Sequence, residues 1–161
     1  MNHPALLATC VGLSILIGGV AIAQHHDPKL HGHGSANASD TRMLVDMPTN
    51  MTAHMLANMR DHLLAMQEIQ DALAKGDNDS AAKIAEARLG MTSLKLHGAH
   101  EVAKYMPQGM QDAGSGMHRA ASRFAIAAQD AGVTGDLKPA LAALSAVTAQ
   151  CVGCHAGYRV K

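Results

Sequence analysis

Three features of this sequence predict an all-α fold, with four helices packed antiparallel into a bundle. Hydrophobic residues make up 48% of the 161 positions, yet aromatics make up only 2% and tryptophan is absent. Ala, Leu, Met and Val supply most of the apolar content. The first three favour helix, whereas strands favour β-branched and aromatic side chains. Between about Pro48 and Cys151, apolar residues recur at intervals of three and four in four successive segments. Four amphipathic helices in roughly 110 residues suit an antiparallel four-helix bundle better than an irregular all-α arrangement. The formal net charge is zero, which leaves no electrostatic footprint for nucleic acid and no reason to adsorb to an anionic membrane.

The chain opens on an apolar, uncharged run over residues 5–23, ALLATCVGLSILIGGVAIA, ending in Ala21-Ile22-Ala23 and followed by polar QHHDPK. A small-x-small ending of this kind predicts a secretory signal peptide over 1–23 and a periplasmic mature protein. The start, MNHP, has no Lys or Arg. The run is also long enough to cross a bilayer, so an uncleaved anchor is the alternative. Cys10 lies inside the run and leaves with it on cleavage. Residues 24–42 hold His25, His26, His31 and His33 with little apolar content, which predicts a flexible leader without a core. The helical domain is then 43–161.

The first helix starts near Pro48, which is tolerated in a first turn, with Thr49 or Asn50 as an alternative cap. Leu56, Met59, Leu63, Met66, Gln70 and Leu73 repeat along it at three and four and predict one buried stripe. Lys75-Gly76-Asp77 stops it. Ser80 is expected to cap a second helix with Ile84, Ala87, Met91 and Leu94 inward. Gly98, Pro107, Gly109, Gly114 and Gly116 predict an irregular segment over 97–116. A third helix is expected over Met117–Asp130, with Ala121, Phe124, Ala125 and Ala128 as its stripe. Gly132 and Gly135 interrupt the chain again. Asp136 is then expected to cap the fourth helix, with Pro139 in its first turn. Leu137, Leu141, Leu144, Val147 and Cys151 are its inner face.

The fourth helix ends in Cys151-Val152-Gly153-Cys154-His155, a C-x-x-C-H motif. Two thiols at this spacing add across the two vinyl groups of a haem, and the adjacent histidine is placed to ligate its iron. A redox C-x-x-C belongs at the start of a helix after a strand, in a βαβ pattern that this chain lacks. A zinc site wants further cysteines or well-spaced histidines. The motif therefore predicts one covalently attached haem c, held by Cys151 and Cys154, with His155 as the proximal ligand.

The position of the motif and its ending carry a more specific likeness. Only Ala156–Lys161 follow it, and Tyr158 and Arg159 complete a C-x-x-C-H-x-x-aromatic-basic pattern. Over about residues 45–161 the chain resembles a class II cytochrome c, the group of cytochrome c prime and its low-spin, methionine-ligated relatives. The resemblance implies a four-helix bundle with the haem motif late in helix four. It also implies either a helix-one methionine on the iron or, as in cytochrome c prime, an open site for small gases. By the family's placement the ligand lies about four turns before the end of helix one, and Met59, sixteen residues before Lys75, fits best. Met55, one turn earlier, is the next candidate. His62, about 60° round the helix from Met59, would give bis-histidine ligation. A Met on a helix stripe is more often core filling than a ligand, so without the likeness Met59 would be read as packing.

The expected function is an exported electron carrier, not an enzyme, cycling a six-coordinate His/Met haem and meeting redox partner proteins. One alternative is a five-coordinate gas-binding protein. Another is a copper-handling protein using the leader histidines with Met43, Met47, Met51, Met55 and Met59, since imidazole and thioether both suit copper. His97 and His100 read as surface or cap residues. Family members pair through helices one and two, and homodimerisation stays open here.

Overall fold

A tripeptide break sets the first helical hairpin. The computed structural model describes residues 39–161; the signal-peptide expectation and nearly all of the His-rich leader lie outside them. A short strand, β1 (Met43–Val45), leads into α1 (Thr49–Ala74). Pro48 is the residue before α1 and makes no side-chain cap; its carbonyl accepts from Met51 N and Thr52 N at 2.8 and 2.9 Å. At the far end Gly76 takes φ +74°, a left-handed value that glycine adopts without strain. The chain thereby reverses into α2 (Asn78–Arg88). The cap of α2 is Asp77, not Ser80: the Asp77 carboxylate accepts from Ser80 N at 2.9 Å. Ser80, three residues on, supplies the amide that an N-cap carboxylate accepts.

The segment expected to be irregular is largely helical. A 3-10 turn over Met91–Leu94 is followed by a left-handed Gly98 (φ +58°) and a short α3 (Ala99–Ala103). The long α4 (Gln108–Thr134) begins directly after Pro107, nine residues ahead of the expected Met117. Gly109 and Gly116 are tolerated inside α4 because side chains from elsewhere press onto them. A Cβ at Gly109 would collide with the Tyr158 hydroxyl, and one at Gly116 would come within 2.7 Å of Gln150 Oε1. Gly135 (φ +75°) ends α4, and α5 (Lys138–Gly157) follows with Pro139 in its first turn. Asp136 Oδ1 accepts from Lys138 N at 3.0 Å, although Leu137 is the boundary residue. The chain closes on β2 (Tyr158–Val160), which pairs parallel with β1, Met43 opposite Tyr158 and Val45 opposite Val160.

Among the described residues the architecture is all-α apart from this two-stranded clip. One core runs through α1, α2, α4 and α5. It is built on Ile69, Leu89, Phe124, Leu144 and Val147, with alanines filling the helix contacts. Such small side chains let helix backbones approach closely. Of the stripe predicted for α1, Leu73 is buried and Met66 packs against the core, but the rest is displaced by one position: Met55, Ala65, Ile69 and Ala72 are buried, whereas Leu56, Met59 and Leu63 are 42, 36 and 73% exposed. The α2 face is displaced as well, to Ala81, Ala82 and Ala85, and Leu141 on α5 is exposed. The α4 stripe is as expected, with Ala121, Phe124, Ala125 and Ala128 buried.

Candidate haem site

Cys151 and Cys154 stand one turn apart near the C-terminal end of α5. Both are free and partly buried. They face different surroundings. Cys151 packs on the main core and its thiol lies 3.6 Å from the Val147 carbonyl. Cys154 packs on a second cluster built from Val45, Met47, Met55, Val102 and Met110, with Met51, Met106, Tyr158 and Val160 against it. Burial pushes both thiols up from the usual cysteine value, and the neighbouring Cys151 adds to the rise at Cys154. His155 is exposed.

The chain end beyond the motif is clipped in place. Arg42 Nη1 donates to the His155 carbonyl at 3.4 Å. Asp40 bridges Arg42 and Arg159, at 2.7 Å from Arg42 Nη2 and 3.3 Å from Arg159 Nε. Its side-chain bond to Arg42 holds the Asp40 carboxyl down at about 2. Tyr158, the aromatic of the motif's ending, rests on the first turn of α4 at Gly109.

The second cluster spans an inter-helix space. The main helix contacts run α1 to α2, α2 to α4 and α4 to α5; no comparable backbone approach brings α1 onto α4 or α5. Methionines from α1, α4 and the segment between fill that space beside Cys154. Methionine is unbranched and repacks readily, so this cluster can open around a flat apolar group. Two reduced thiols on one turn, an imidazole next in sequence and a thioether-rich apolar wall are a donor set that fits a tethered haem.

On α1, Met55 is 6% exposed and belongs to the Cys154 cluster, whereas Met59 stands at the rim. Both line a cleft of about 160 Å³ together with Met106, Met117 and three histidines, His62, His97 and His118. His97, expected at the surface, and His118, for which no role is expected, are both buried, at 5 and 7% exposure. His97 is brought in by the turn at Gly98. His118 follows Met117 on the inner face of α4, and a polar residue on an apolar stripe was the signal that could have found it. The rings of His62 and His97 lie 4.6 Å apart, and that of His118 lies 6.0 and 5.8 Å from them. His118 Nδ1 donates to the Leu89 carbonyl at 2.7 Å. Burial lowers the basicity of all three, taking His62 to about 4, with His97 and His118 adding to the shift at His62. His54 and Asn58 close one side by bonding the His97 carbonyl, each at 2.9 Å. His100 is exposed.

Comparisons with protein-family models, with curated proteins and with solved structures returned no match to this chain.

Proposed function

We propose that this chain is an exported c-type cytochrome that carries electrons through one haem, held by thioether bonds from Cys151 and Cys154 and ligated by His155. Its bundle is taken to be the antiparallel four-helix arrangement of α1, α2, α4 and α5, with α3 as an inserted turn. The observation that carries the reading is the C-x-x-C-H motif at the end of α5, with Cys154 against a methionine-lined space between α1, α4 and α5. The haem would supply the one-electron couple of its iron. The chain's own residues would exclude water around Cys154, through Met47, Val102 and Met110, and would keep the motif in register through Arg42, Asp40 and Tyr158.

A thioether of the Met55–Met59 turn would be the chain's second ligand to the iron. Met59 has the spacing the family likeness implies. Met55 has the burial and shares the Cys154 cluster, and on that ground it is placed first. A methionine opposite histidine raises the reduction potential, which suits accepting electrons from donors in an exported compartment. The deciding experiment is the optical spectrum of the reduced protein with and without carbon monoxide. A low-spin spectrum that the gas leaves unchanged is expected. A high-spin spectrum that shifts with the gas would instead mark an open distal site and a gas-binding protein. Haem that is extracted by acid and organic solvent would overturn covalent attachment altogether.

A further inference from the structure

We propose that His62, His97 and His118 form a divalent-metal site of the zinc class, separate from the haem motif and from the histidines of the leader. The carrying observation is a spacing. His62 Nε2 lies 3.4 Å from His97 Nδ1. That is long for an N–H···N hydrogen bond, which prefers roughly 2.7–3.2 Å. It matches two ligands of one tetrahedral ion: nitrogens each about 2.0–2.1 Å from the metal stand roughly 3.3–3.4 Å apart.

The surroundings of the rings follow the same pattern. Metal-bound imidazoles hand their second ring nitrogen to a carboxylate or a carbonyl. Asp61 Oδ2 lies 3.8 Å from His97 Nε2, on the side of that ring away from the His62 contact. His97 Nε2 is buried with no hydrogen-bond partner, so a shift that tightens the Asp61 contact would satisfy an orphaned group. His118 already donates Nδ1–H to the Leu89 carbonyl, which fixes its tautomer and leaves Nε2 with the lone pair. Ser93 Oγ stands 3.4 Å from both His97 Nδ1 and His118 Nδ1, so the rings share one neighbourhood. Asp61 and Glu68 against Arg88 leave one net negative charge beside a site for a cation. All three rings are kept neutral by burial near pH 7, the form that ligates.

Among the described residues no three side chains yet close on one metal position. Two donors are at ligand spacing, and His118 must close the remaining gap by a small approach of its ring that keeps the bond to the Leu89 carbonyl. The site is therefore drawn together by the ion, and binding stabilises the fold by mass action.

The test is equilibrium dialysis of the full-length, haem-loaded protein against Zn(II) alone, with the bound metal quantified. His25, His26, His31 and His33 are first replaced together by Ala to remove the leader's contribution. One zinc per chain is expected in that background. His97→Ala should weaken uptake by at least about tenfold, and His100→Ala should leave it unchanged. Circular dichroism reports folding, and His62→Gln, a partly buried position on α1, carries the decision if His97→Ala does not fold. No zinc uptake in the leader-substituted protein, or unchanged affinity in a folded His62→Gln variant, would overturn the site. The haem spectrum of His62→Gln is recorded alongside: lost zinc uptake with an unchanged spectrum separates this site from bis-histidine ligation.

Discussion

Met55 and Met59 occupy successive turns of α1 and differ in what surrounds them. Met55 is buried beside Met110 and the residues that hold Cys154, whereas Met59 is 36% exposed at the cleft rim. Replacing Met55 by Ala removes its lone pair, and Met51 and Met59, one turn to either side, can supply another only if the backbone of α1 shifts. Met55→Ala is expected to leave the iron five-coordinate or water-bound, to admit carbon monoxide and to lower the reduction potential. It should also cost about 2–5 kcal/mol, as large-to-small core substitutions do. Met59→Ala should cost far less and leave the spectrum low-spin. The reverse pattern in the two spectra would return the ligand to Met59, and a change only in a His62 variant would point to bis-histidine ligation. Cys151→Ala with Cys154→Ala is expected to abolish covalent haem, read as loss of haem stain on a denaturing gel. Retention of haem in that double variant would remove the basis of the proposal.

At the scale of elements, the contact of Tyr158 in β2 with Gly109 in α4 is where packing and backbone meet. Gly109 has no room for a Cβ under the Tyr158 hydroxyl, and the next ring atom would be at ordinary contact, 3.6 Å. Gly109→Ala should therefore destabilise by about 1–3 kcal/mol as an overpacked contact. Tyr158→Phe in the same chain should restore most of that loss in a urea titration, and an additive double variant would show the contact to be immaterial. The same glycines explain what sequence reading could and could not find. The all-α class, the break at Gly76 and the stripe of α4 were legible, because composition and apolar period speak directly to them. Helix through 108–116 was not, because Gly109 and Gly116 read as breakers until Tyr158 and Gln150 are seen on top of them. Most of the α1 stripe, though not Met66 and Leu73, is one residue off for a related reason: large Leu56, Met59 and Leu63 look like core, but the helices meet through Ala65 and Ala72. The placement of Cys151 and Cys154 one turn apart at the end of α5 was legible from their spacing. The grouping of His62, His97 and His118 depends on three separate elements and has no local pattern.

For the whole molecule, three imidazoles kept neutral in the interior tie stability to pH. Burial takes His62 to about 4, below its ordinary value of 6.5, and depresses His97 and His118 as well. Between those two values the unfolded chain binds more protons than the folded one, so stability rises with pH across the window. The contribution is complete above about 6.5 and is lost as pH falls toward 4. For His62, whose ring is partly exposed, it amounts to about 2 kcal/mol. The measurement is the urea midpoint of chelator-treated protein at several pH values between 7.5 and 4.5, where acid should lower the midpoint steadily. His62→Gln has no proton to gain on unfolding in that range and should flatten part of the dependence. A midpoint that stays level between pH 7 and pH 5 in the unmutated protein would mean that the three rings are charged or solvated in the folded state. The cleft that holds them would then be open to water.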